Sequence, residues 1–369
     1  MPRVISYAAY VIAFMIMVAT EIPAQKSTET PPPVMGLEAG TLESTGFVST
    51  QITRSAFDDG TRREGPDAGA EESWSLISSG LTIAYGVSPT VGVRLSWLPG
   101  FVFYSRYTED ANRRRSGASN LRLDTPLRVL SASRDAGSFD ADSTALIGRA
   151  PIDLTFTPVG IIRIPGYDLE NQSELRQQGE PYVAEHPDIK ANALGFALGE
   201  RLPLGPRAAL SAGQEILFYF PADYEEQSLA NYDTNLVRDG IDGAEPYDTI
   251  YYRYRLTGDV GGSYLLQDFP RNRWTAGLSV GGHFMPAPIV DDILVENTDS
   301  FLVSIEPSIA VEPQVWSGRS EFELSWSIPL VGKNEDATHE IALAFRTTLY
   351  RPGGDDRPED ESDAGDSRN

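Results

Sequence analysis

The sequence predicts an all-β fold, a transmembrane up-and-down antiparallel β-barrel of about twelve strands, with ten to fourteen as the range. Three observations predict it: strict two-residue alternation in long segments, an N-terminal secretory leader, and the lack of cysteine or any further apolar run able to cross a bilayer as a helix. The alternation is clearest near the C-terminus. Phe322, Leu324, Trp326, Ile328 and Leu330 share one parity, and Glu321, Glu323, Ser325 and Ser327 the other. Ile341, Leu343, Phe345 and Leu349 then alternate with Glu340, Ala342, Ala344, Arg346 and Thr348. Successive side chains on a strand point to opposite faces, so each segment has one oily and one wet face. A strand can cross a bilayer only when every backbone group is paired, and that requires closure.

The elements follow in order. Residues 4–20 form an apolar run after Arg3, and Pro23 and Ala24 precede a polar stretch. That order marks residues 1–25 as a signal peptide cut near Ala24 or Gln25, although a run of this length also approaches the roughly 17 residues of a membrane anchor. Residues 26–43 read as a flexible lead-in, 44–350 as the barrel, and 351–369 as a disordered acidic tail. Alternation places strands around Ile77–Val87, Val91–Trp97, Tyr252–Leu266, Trp274–Phe284 and Val303–Val311. It is weaker over 191–202 and 207–220, and weaker still over 46–55 and 150–163, where Pro158 and Gly160 suggest a tight turn between two short strands. Several segments run about ten to fifteen residues, against about five or six in soluble proteins. Tyr85, Trp97, Tyr104, Tyr252, Trp274 and Tyr350 cluster towards strand ends, as interfacial girdles require.

Short connections fall at Ser88–Thr90, Pro203–Pro206, Asp268–Asn272 and Trp316–Arg319. Longer acidic ones fall near 57–72, 105–148, 165–190, 223–247, 287–299 and 332–338. This pattern predicts short periplasmic turns and long acidic outer loops. The net charge of −23 excludes nucleic acid as a partner, because phosphates demand Lys and Arg.

Over roughly 45–350 the chain resembles Gram-negative outer-membrane β-barrel proteins of the generic porin or transporter kind. The residues that carry the resemblance are the leader, the amphipathic strands, the acidic loops and the aromatic-ended segment Phe345–Tyr350. The stretch Leu81–Val93 is similar to hairpins of outer-membrane transporters for small organic compounds. The resemblance implies residence in the cell outer membrane after leader cleavage. It also implies contact with outer-membrane lipid and lipopolysaccharide, insertion by the barrel assembly machinery, and small solutes as cargo. One departure is that nineteen residues follow Tyr350, where such barrels usually stop at a terminal aromatic.

Placed on the polar face, Glu306, Glu312, Glu321, Glu323 and Glu340 form an acidic group, while Arg253, Arg255, Arg346 and Arg94 form a basic one. Opposed charged walls would select permeating solutes by charge, or pair across a narrow barrel and plug it. His186, His283 and His339 sit in no metal-ligand spacing and in no serine-hydrolase motif, so no enzyme and no cofactor is expected. Asp239 and Asp242 lie in an oxygen-rich loop, yet Val237 and Arg238 break the EF-hand spacing, so they read as solvated acids before a metal site. Arg113, Arg114 and Arg115 would either meet lipopolysaccharide phosphates or neutralise neighbouring acids. The expected function is a passive channel or transporter-like barrel. The alternatives are a structural or adhesive barrel binding through its loops, and a soluble secreted β-domain that binds carbohydrate.

Overall fold

The computed structural model describes residues 39–58, 61–64, 73–107, 112–132, 148–150, 152–164, 191–205, 207–223, 249–269, 272–290, 292–294, 299–313 and 320–350. Twelve strands form one closed antiparallel sheet. They are β1 (Leu42–Asp58), β2 (Ser73–Ser88), β3 (Val91–Tyr107), β4 (within 112–132), β5 (Asp153–Ile162), β6 (Ala193–Pro203) and β7 (Ala208–Tyr219). The second half comprises β8 (Tyr254–Asp268), β9 (Asn272–Met285), β10 (Ser300–Pro313), β11 (Ser320–Lys333) and β12 (Glu335–Tyr350). Strand β4 runs in three pieces, Asn112–Ala118, Leu121–Asp124 and Leu127–Ala132. Each strand pairs with the next, and β1 closes on β12 from Leu42↔Tyr350 to Phe57↔Glu335. Closure leaves no edge whose N–H and C=O groups would face hydrocarbon unpaired.

The two faces are inverted relative to a soluble protein. Ile77, Leu194, Phe218, Leu278, Leu324 and Leu343 point outward and are each 48–58% exposed. Ser49, Ser78, Ser96, Asp124, Thr155 and Thr157 point inward and are buried. A soluble sandwich would bury the first group and hydrate the second, so the outer face is matched to lipid and the chain is a transmembrane barrel. Inside, Ser49 and Ser78 share a hydroxyl–hydroxyl bond of 2.8 Å between paired positions on β1 and β2.

Several local expectations change. Residues 112–132, expected within a long loop, form β4; Leu121 and Leu123 alternate there with Arg122 and Asp124. Pro158 and Gly160 make no turn, because β5 runs through both. Pro158 lacks an N–H but keeps its carbonyl, which accepts from Thr125 N at 3.0 Å; Pro126, one residue on, likewise accepts from Gly92 N at 3.0 Å. The two prolines thus sit beside the break in β4, where the wall has few donors to lose. The connection expected at 332–338 is a tight turn, with Asn334 at φ 50°. The first strand starts at Leu42, inside the segment expected as lead-in. The expected leader, the acidic tail and most of the long-loop residues lie outside the described residues.

Beyond the rim reached by Tyr219 and Met285, Ala222–Asp223, Thr249–Tyr251, Ile289–Val290 and Ile293–Leu294 form a second, four-stranded sheet. Tyr252 turns inward there and is 2% exposed, not interfacial, packing edge-on against Tyr219 at 6.4 Å. Tyr85, by contrast, lies on the exposed outer face.

Gly100 at φ 86° marks a bulge in β3, and a Cβ there would run into the Ser79 carbonyl. Gly100→Ala is therefore expected to cost on the order of 1–3 kcal/mol. Gly46→Ala, with nothing within 4 Å of a Cβ, should stay within about 0.5 kcal/mol. Urea unfolding midpoints of the refolded barrel in liposomes check both, and equal midpoints would refute the strain. In the same assay Leu343→Arg should lower stability by about 2–4 kcal/mol, the midplane value for a cation on a lipid face. A soluble fold would instead tolerate this exposed position.

Candidate functional site

The site is the barrel interior, which β-alternation fills with the residues opposite the lipid face. From β8 round to β1, Asp259, Glu306, Glu312, Glu321, Glu323, Glu340 and Glu43 all have inward parity. Glu306 accepts a hydrogen bond from Ser325 and lies within electrostatic reach of Glu323, Glu340 and Asp259. Glu321 stands in the same relation to Glu323, Glu312 and Glu43. These carboxylates therefore form one continuous wall. Asp259 can stand in it because the neighbouring inward positions are Gly213 and Gly281. A Cβ at Gly213 would strike the Asp259 carboxylate, and one at Gly281 would come within 3.3 Å of Asp259 Cβ.

Across the lumen the charges are paired. Asp124 is fully buried, and its two oxygens accept from Arg94 Nε at 2.7 Å and Arg122 Nε at 2.8 Å. The far end of the Arg122 guanidinium reaches Glu215 on β7 at 2.5 Å. Two guanidiniums and two carboxylates thus make a neutral group. Arg201, with its side chain near the Asp153 charge, is a buried cation on the same side, on β6.

The sequence-predicted residues divide accordingly. Glu306, Glu312, Glu321, Glu323 and Glu340 come together on the acid wall. Arg346 is on that wall too, with Nη1 3.4 Å from Glu321, a half-exposed pair worth about 0–1 kcal/mol. Arg94 belongs to the neutral group. Arg255 has inward parity near the rim of β8. Arg253 does not join the lumen lining as expected. It precedes β8 at φ 62°, and its Nε and Nη2 donate to the Ala287 carbonyl at 3.1 and 2.7 Å, tying the segment that enters β8 to the segment that leads from β9 into the rim sheet. His283 has inward parity, whereas His339 lies outward beside Trp326 at 6.2 Å. Among the described residues no group of metal-ligating side chains occurs, and Asp239 and Asp242 lie outside them.

Sequence reading missed Arg122, Asp124, Glu215 and Asp259. A signal for two of them was present in Leu121-Arg122-Leu123-Asp124, whose parity already places both charges on the wet face.

No family model matches the sequence, and no curated protein matches it. Among solved structures, an outer-membrane channel from Pseudomonas putida F1 aligns with a TM-score of 0.53 at 12% identity, over 87% of this chain and 100% of that one. The fold is that of an outer-membrane β-barrel. The transport unit of the autotransporter AIDA-I from Escherichia coli aligns at 0.41 with 5% identity, over 88% of this chain and 95% of its own. A FadL homologue from Pseudomonas aeruginosa aligns at 0.35 with 12% identity, over 84% and 90%.

Asp124→Ala would leave Arg94 without its carboxylate and Arg122 with Glu215 alone in a half-buried site, at an expected cost of about 2–4 kcal/mol. Urea unfolding in liposomes measures this, and a loss below about 1 kcal/mol would mean the guanidiniums are hydrated rather than paired.

Proposed function

We propose that this chain is a passive outer-membrane channel for small solutes that favours cations, working without covalent chemistry or an organic cofactor. In this reading it sits in the outer membrane of a Gram-negative bacterium after its leader is removed. The barrel assembly machinery inserts it, and outer-membrane lipid and lipopolysaccharide surround it. The single observation that carries the reading is the acid wall. Six of its carboxylates belong to β8, β10, β11 and β12, and they face a group whose own charges cancel. A lumen with net negative charge on one wall attracts counter-ions and repels co-ions over the Debye length, about 8 Å at physiological salt. The opposed acidic and basic walls expected from sequence reduce to one charged wall, because Arg94 and Arg346 each have a carboxylate partner. The fold shared with a solved outer-membrane channel supports the reading at the level of architecture.

The test is the reversal potential of the purified barrel in planar bilayers under a salt gradient. The wild type should prefer potassium over chloride, and Glu306→Gln with Glu323→Gln should shift the potential towards chloride. Closed bilayers, or a potential that ignores both substitutions, would defeat the channel reading and leave a structural or adhesive barrel.

A further inference from the structure

The Arg122–Glu215 contact joins strands that are not neighbours. Arg122 belongs to β4 and Glu215 to β7, with β5 and β6 between them along the wall. A side-chain bond between them must therefore cut across the interior in front of those two strands. The inward positions it passes are Ile161, Val159 and Thr157 on β5, and the small residues Ala193, Gly195 and Ala197 on β6. Behind it, Val159, Ala193, Leu217 and Tyr219 pack into an apolar cluster, each under 5% exposed. Asp124, held by Arg94, anchors the Arg122 end and is itself wholly buried.

The opposite arc differs. Asp259 is exposed, and Thr257, Ser279, Glu306, Ser308 and Glu323 are all partly open although they point inward in a closed barrel. Inward residues stay accessible only where the interior holds water. The lumen is thus more closely packed along β5 and β6, where Thr155, Thr157, Val159 and Ala193 are buried, and more open along β8–β11, and the ion pair lies between the two.

We propose that the Arg122–Glu215 ion pair is a strut that walls off the β4–β7 side of the lumen and confines solute to the acid-lined β8–β12 side. Glu215 is then a specificity-determining residue of the channel. This rests on the channel reading above and adds where the path runs and what bounds it. The strut also explains how one arc can supply the charge preference alone. Solute passes between carboxylates on one side and a guanidinium already neutralised by Glu215 and Asp124 on the other.

The experiment compares single-channel conductance and reversal potential of the wild type, Glu215→Ala and Glu215→Gln in planar bilayers, after the heat-dependent gel shift has shown each barrel folded. Glu215→Ala frees one end of the strut and uncovers a positive charge. Conductance should rise and the reversal potential should shift towards chloride, with Glu215→Gln intermediate because it keeps the volume and a neutral hydrogen bond. A conducting wild type with both quantities unchanged in Glu215→Ala would overturn the strut and leave the channel standing. A silent wild type with a conducting Glu215→Ala would retain the strut as a barrier and overturn the open channel. Silence in all three overturns both. If Glu215→Ala gives no folded barrel, Glu215→Gln decides by the same criteria.

Discussion

The pairing of the first strand with the last is the constraint on which the rest of the structure depends. Fourteen partnered positions between β1 and β12 consume the donors and acceptors that an open sheet would present to hydrocarbon. A lipid-exposed edge would leave several unsatisfied groups, each costing several kcal/mol, so closure is compulsory. Once the sheet is closed, a polar interior is no longer a liability, because water or partner side chains can occupy it. The outward parity is then free to be apolar from Val48 to Leu343.

Within that frame the polar face is put to two uses. On β2–β7 it is packed, with hydroxyls bonded to hydroxyls, as at Thr82 and Ser96, and charges bonded to charges around Asp124. On β8–β12 it carries carboxylates spaced along several strands and left partly open. Small residues make both possible. Gly213 and Gly281 give room to Asp259, and Gly195 lets the β7 backbone approach, where a Cβ would meet the Ile216 carbonyl. The interior is thus shaped as much by where side chains stop at Cα or Cβ as by where they extend.

Much of this was legible in the sequence, and for a physical reason. Alternation is a strong signal when one face must be lipid-soluble, which is why β8 to β12 can be read from runs such as Phe322–Leu330. The signal fades where the wall is irregular. Strand β4 is broken at Ser119–Asn120 and Thr125–Pro126, and β5 contains Pro158, so both resemble turn chemistry although the sheet carries them through. The acidic residues of the site were recognisable from parity alone. The Arg122–Glu215 contact was not, because alternation tells which face a residue occupies and nothing about which residue it meets across a chord. Arg253 misled for a related reason: it continues the parity of Arg255, but a left-handed backbone at Arg253 turns its side chain to a carbonyl in the rim.

The buried charges also bear on how the chain comes together. Asp124 lies 30 positions from Arg94, so that contact can form as soon as a few neighbouring strands are in place. Glu215 lies 93 positions beyond Arg122 and arrives only with the seventh strand. Until then Arg122 is a cation one carboxylate short, in a site that becomes progressively less wet. A partly assembled sheet is therefore electrostatically incomplete as well as open-edged, and the arrival of β7 resolves a deficit created three strands earlier. Growth of the wall is coupled to the filling of its interior, so a chain stalled midway is discouraged from settling as a smaller, prematurely closed cylinder.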